Sequence, residues 1–275
     1  MRVPPSISEW SQAALEFENP EEAASTALCE IATKFANIRS GMSAFHDYSN
    51  CDFIIASLCE LDNEYTTWLN HCPVSLLYKT VTLSERSKDV FSDHYHIYSS
   101  LWTATVWNNY RCVRILINEV ILDQLNHVFQ HPDASLLFWD NPNVYRNQAL
   151  ASNAMLLQLS HDICSSVPFF LGYHTGETPK AVSGNLLLWP LYSAAVTGMV
   201  SDMMRIWVAG RLKIIADVLG IRQAAPLAYT LGFTDRRPVE QDLLEWKEED
   251  MLILGYTPTQ YEEAQRKKKK ITLEG

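Results

Sequence analysis

The chain has 275 residues, with 22 Lys and Arg against 32 Asp and Glu, giving a formal net charge of −10. A field of that sign repels a phosphate backbone, which argues against the chain gripping nucleic acid by itself. With 47% hydrophobic and 20% charged residues the composition is that of a folded globular protein, and only 10 glycines leave little room for the tight hairpins of an all-β fold.

Residues 1–18 read as an irregular or short helical arm. Asn19-Pro20-Glu21-Glu22 then supplies a cap residue, a proline at the first helical position and acids at the positive end of the helix dipole. The helix is expected to run to about Arg39, with Ala24, Leu28, Ile31 and Phe35 on one face and Gly41 as its stop. Asp52 stands where a cap belongs for the next helix, in which Phe53, Ile54, Leu58, Leu61, Tyr65, Trp68 and Leu69 recur at helical spacing before Cys72-Pro73 closes it.

Lys79 to Lys88 reads as a loose segment. From Ser92 or Asp93 the longest periodic run begins: Tyr95, Tyr98, Leu101, Trp102, Val106, Tyr110, Val113, Ile117 and Val120, with Pro132 as its limit. Between Val113 and Leu125 it is apolar nearly all round, the pattern of a central helix. Asp140-Asn-Pro-Asn143 is turn chemistry, leading into a helix over Ala149–Cys164. Pro168, Gly172 and Gly176 then punctuate an irregular connection.

Gly184 to Thr197 is expected as a short helix that Pro190 kinks or restarts. Gly198 to Leu219 is expected as another, with Met199, Met203, Ile206, Gly210, Ile214 and Val218 on one face and Gly220 as a left-handed stop. Beyond Asp235-Arg-Arg-Pro238 lie an acidic helix to Leu254 and a polar one ending in Arg266-Lys-Lys-Lys-Lys270, a run that is a weak nuclear-import signal. No internal repeat of constant period is visible. The expectation is an all-α irregular multi-helix bundle of about eight to ten helices without a convincing strand. It is organised as an N-terminal arm (1–18), an all-helical core (19–234) and polar C-terminal helices (235–275).

The cysteines at 29, 51, 59, 72, 112 and 164 are scattered, mostly within apolar helical patterns, and form no Cys-x-x-Cys pair. Neither a zinc site nor a redox pair is supported, and a reducing compartment suits them. No signal peptide opens the sequence, and the apolar runs break before membrane-spanning length.

Five ordered segments give the chain a family likeness: Trp107-Asn-Asn-Tyr-Arg111, Asp162-Ile-Cys-Ser-Ser-Val-Pro-Phe-Phe-Leu-Gly172, Leu187-Leu-Trp-Pro-Leu-Tyr192, Arg205-Ile-Trp207 and Gly220-Ile-Arg-Gln-Ala224. In this order they resemble the regulatory region of fungal binuclear zinc-cluster transcription factors, over most of residues 20–231. Full-length members begin with closely spaced cysteines that hold zinc, followed by a basic linker. These residues contain no such module, so direct DNA contact is not carried over. The resemblance implies a nuclear, non-catalytic effector or interaction domain that modulates transcription. Its partners would be the transcriptional machinery, another regulator or a second copy, and a small apolar metabolite is a candidate ligand.

The residues offer little to compete with this. His94/His96 and His127/His131 have ligand-like spacing but no third ligand beside them. His161-Asp162 beside Cys164 suggests a thiol nucleophile, yet adjacent helical residues point apart. No Gly-rich phosphate loop or nucleophile elbow occurs, and Asp47, Asp52 and Asp62 are too scattered for a magnesium motif. No cofactor is called for. Arg111 and Arg114 on the central helix need partners, Glu119 or a carbonyl being the nearest choices. Trp102, Trp107, Trp189 and Trp207 read as core, with a pocket lining as the minority reading. The candidate ligand or interaction positions are Trp107, Arg111, Arg114, Trp189, Arg205 and Trp207. The alternative function is an all-helical enzyme or binding protein for a hydrophobic small metabolite.

Overall fold

The computed structural model describes residues 3–42, 48, 50–138, 140–176 and 178–233. The expected C-terminal helices and the lysine run lie outside the described residues. The fold is all-α. Its helices are α1 (Pro5–Ala14), α2 (Pro20–Gly41), α3 (Cys51–Asn70), α4 (Leu101–Gln130), α5 (Pro142–Phe170), α6 (Ala181–Val196), α7 (Asp202–Leu219) and α8 (Ala224–Phe233). Two short strands, β1 (Lys79–Thr82) and β2 (His94–Ile97), pair beside them. The described residues form two compact units: those up to Lys79 with Tyr98–Asp162, and Thr80–Ile97 with those from Ile163 to Phe233.

In the first unit α2 begins as its sequence dictates. Asn19 accepts from the N–H groups of Glu21 and Glu22 while the Glu22 carboxylate accepts from the Asn19 N–H, a complete capping box. Leu28 and Ile31 of α2 face Ile54, Leu58, Leu61, Tyr65 and Trp68 of α3, and these pack on α4. Each such side chain contributes about 1.5–3 kcal/mol by leaving water. Along α4, Ile115, Ile117, Ile121, Leu125 and Val128 are wholly buried, as the all-round apolar stretch demands. It is one unbroken helix of 30 residues.

Three expectations are corrected here. Asp52 does not cap α3: Asn50 precedes the helix, and the Asp52 carboxylate accepts from Ser135 Oγ at 2.7 Å, Tyr145 OH at 2.7 Å and Leu136 N–H at 3.0 Å. Burial pushes this carboxyl upward, but the hydrogen bonds outweigh it and hold its pKa below the ordinary aspartate value. The central helix does not start at Ser92 or Asp93. Ser100 caps it, its Oγ accepting from Thr103 N–H at 3.1 Å, and Tyr95 lies on β2 instead. The segment read as loose carries β1, whose continuation bonds Leu83 N–H to Asp93 O at 2.7 Å. The side chains of Tyr95 and Tyr98 mimic helical spacing, but a strong cap at Ser100 and β-branched neighbours settle the local choice otherwise.

In the second unit the residues from Ile163 to Phe170 continue α5 through Pro168, instead of breaking at the expected connection. Ile163, Cys164, Val167, Phe170 and Leu171 are almost fully buried, so tertiary packing holds the helix past its proline. Gly172 and Gly176 follow with positive φ. Pro190 likewise lies inside α6. Helix α7 starts later than its periodicity suggests, because Ser201 caps it by accepting from Met204 N–H at 3.2 Å. It ends at Gly220 with φ 71°, and the Ile221 N–H reaches back to Ile215 O, the expected left-handed stop.

Candidate functional site

Four of the six candidate positions fall into two buried polar clusters, one in each unit. In the first, Trp107 Nε1 donates to Leu76 O at 2.7 Å, holding the turn Val74–Leu76 against α4. One helical turn on, Arg111 is 1% exposed and donates to Tyr98 OH at 2.8 Å and Asn108 Oδ1 at 2.9 Å. Its guanidinium lies 5.2 Å from the centre of the Tyr78 ring and 5.6 Å from that of Trp107, so aromatic faces line the charge. Desolvation works against the charged form, but Tyr98 and the charge of Asp162 overcome it and hold the Arg111 pKa above its ordinary value. Burial pushes the Tyr98 phenol up to about 12.

Arg114 completes a second fork on the same helix. Its Nε donates to Asp62 Oδ1 at 2.7 Å and its Nη2 to Asp62 Oδ2 at 2.8 Å, a bidentate pair across α3 and α4. Tyr110 OH accepts from Nη1 and Thr66 Oγ1 from Nη2, and Asn118 Nδ2 donates to Asp62 Oδ1 at 2.9 Å. The carboxylate is therefore Asp62, and the expectation that Glu119 serves Arg114 is corrected. Glu119 stands one residue past Asn118 on the helix, and desolvation raises its pKa from 4.5 to about 7.

The second unit repeats the first device. Trp207 Nε1 donates to Lys88 O at 3.1 Å, and Arg211, one turn on, donates from Nη1 to Asp89 Oδ1 at 3.1 Å. The Arg211 guanidinium lies 5.2 Å from the Trp207 ring centre, and Phe91 packs on the same indole. Arg211 is 1% exposed and its Nε has no hydrogen-bond partner. Thus Trp-x-x-x-Arg occurs at 107–111 and at 207–211, each time clamping a segment between α-helices onto a long helix. Residues at i and i+4 share a helix face, which is why the spacing works. The sequence reading missed Arg211, Asp89 and Asp62. The repeated spacing could have flagged Arg211; nothing local marks the two acids.

Arg205 has a different task. It donates to Ala195 O, Thr197 O and Asp202 Oδ1 at 3.0–3.1 Å, closing the C-terminal end of α6. Trp189 is 56% exposed and Trp102 43%, so neither belongs to the core as expected. The Cys164 thiol is wholly buried, and desolvation raises its pKa, which keeps it protonated and unreactive. The rings of His94 and His96 stand 6.0 Å apart and those of His127 and His131 4.7 Å. Among the described residues no group of three His, Cys, Asp or Glu is placed to hold a metal ion. No described helix is long and apolar enough to cross a membrane.

A groove of about 530 Å³ runs between α2 and α3, with Ala27, Ile31 and Trp68 beneath Glu30, Glu60 and Glu64. None of the six candidate positions lines it. Lys34 Nζ crosses it to Glu64 at 2.7 Å. Comparison with family models, with curated proteins and with solved structures finds no match for the chain.

Proposed function

We propose that this chain is a non-catalytic effector or interaction module of a transcription regulator, of the kind that forms the regulatory region of fungal binuclear zinc-cluster factors. It would act in the nucleus through the transcriptional machinery or another regulator, without itself touching DNA. The observation that carries the reading is the pair of Trp-x-x-x-Arg clamps. The segments of family likeness contribute Trp107, Arg111 and Trp207, and these spend their donors on main-chain carbonyls, a tyrosine and an asparagine. Side chains so engaged fasten elements to one another, which suits a structural and regulatory role. A clamp that ties a connecting segment to a helix also provides a place where a ligand or partner can bias one packing over another.

The test fuses the full chain to an unrelated DNA-binding module and reads a reporter in a fungal cell. A shift in transcription relative to the module alone is expected, and loss of that shift on Trp207→Phe would tie it to the clamp. Transcription unchanged by the fusion, together with turnover of an apolar metabolite by the purified chain, would transfer the assignment to the alternative of an all-helical enzyme.

A further inference from the structure

Helix α1 and the turn that follows it place Trp10, Ala13 and Phe17 at i, i+3 and i+7, with Ile7 one turn before Trp10. The turn is helical in its bonding, Phe17 N–H donating to Ala14 O at 2.9 Å. Ser6, Ser11, Ala14 and Glu18 are half-buried in the same segment, and Glu18 Oε1 accepts from Thr26 Oγ1 of α2 at 2.6 Å. Val3 N–H donates to Asn37 Oδ1 of α2 at 3.1 Å. These polar bonds tie the segment to α2 at its two ends, and its aromatics are left in water: Trp10 is 69% exposed and Phe17 86%. Large rings left in water at one helical spacing are the pattern of an anchor stripe that docks in an apolar groove.

Charge decides what covers them. From Val3 to Thr33 the chain has no Lys or Arg but carries Glu9, Glu16, Glu18, Glu21, Glu22 and Glu30. An anionic lipid surface or a nucleic acid is repelled by such a segment. A second copy brings another net charge of −10, and its groove between α2 and α3 carries Glu30, Glu60 and Glu64 against Lys34, whose Nζ already pairs with Glu64. A basic protein surface is favoured on every count, because the flanking carboxylates then steer the encounter and pair at the rim.

We propose that the N-terminal arm is a docking helix whose Ile7, Trp10 and Phe17 anchor it in a partner protein's groove with an apolar floor and a Lys/Arg rim. The arm stands apart from the transcriptional reading, since it docks such a partner whatever the body regulates.

The test titrates the full chain, by calorimetry, into a designed helical domain with an apolar groove rimmed by lysines, and into its twin with glutamates in their place. Binding to the lysine-rimmed domain is expected, about tenfold or more weaker for the glutamate twin and for the Trp10→Ala/Phe17→Ala variant of the full chain. Equal affinity for both twins, or affinity untouched by the double variant, overturns the proposal. So does a lowered unfolding midpoint of the isolated double variant, because the rings would then be packing on the chain's own body. A dimer in sedimentation that the double variant dissolves assigns the stripe to self-association and refutes the basic partner.

Discussion

Replacing Asp62 by Ala removes the carboxylate that Arg114 and Asn118 share. Three hydrogen bonds of 2.7–2.9 Å are lost at once, and Arg114, whose side chain is 7% exposed, keeps only Tyr110 OH and Thr66 Oγ1 as partners. Stranding one member of a fully buried ion pair costs about 3–5 kcal/mol. The Asp62 side chain is 19% exposed, so some water reaches the vacated place and the lower end, about 3 kcal/mol, is expected. The companion variant Asp62→Ala/Arg114→Met removes both charges and lays an unbranched apolar chain between α3 and α4. It should cost only about 1 kcal/mol, so the double variant should be about 2 kcal/mol more stable than Asp62→Ala alone. Urea unfolding followed by helical circular dichroism measures both. A single-variant loss under about 1 kcal/mol, or a double variant no more stable than the single one, would show that the pair does not hold α3 to α4.

Three further outcomes follow from the same geometry. Glu119 has its folded pKa raised to about 7 from 4.5 by desolvation, so the folded state keeps a proton that the unfolded state releases across that window. Its contribution therefore worsens as pH rises from 4.5 to about 7 and is fully unfavourable above. Glu119→Gln should gain on the order of 2 kcal/mol at about pH 8 and nothing at about pH 4, and a pH-independent difference would contradict the burial of this group. Trp207→Phe removes the bond to Lys88 O and narrows the platform under Arg211. Trypsin should then nick at Arg86 or Lys88 about tenfold faster, as local opening becomes easier; an unchanged rate would mean the clamp does not restrain the segment. Gly184→Val must displace Leu219 and crowd Ile221 and Ile215. It should destabilise by about 2 kcal/mol in thermal or urea unfolding, and a neutral result would show that those side chains yield freely.

The part of this fold legible in the sequence is the part that short-range chemistry determines. Asn19-Pro20-Glu21-Glu22 specified its helix start, and Gly220 its left-handed stop, while the reciprocal bond from Glu22 came with the structure. The all-round apolar stretch of α4 announced its central place. These features repeat or terminate within a turn or two, so neighbouring residues suffice to read them. Where periodicity alone carried the reading it erred, as at Tyr95 on β2, since aromatic spacing of three or four residues also arises in strands by accident.

The tertiary structure alone decided which partner each buried charge takes. Glu119 is five residues from Arg114 along the chain, yet the carboxylate in reach of Arg114 is Asp62, 52 residues away, and Arg211 pairs with Asp89, 122 residues away. It also decided that Trp107 and Trp207 would be buried while Trp102 and Trp189 remain exposed. A buried ion pair depends on where two helices or a loop are brought together in space, and that distance leaves no periodic trace in either segment. Sequence thus determined the helices, their ends and their apolar faces; the packing determined the clamps that join them.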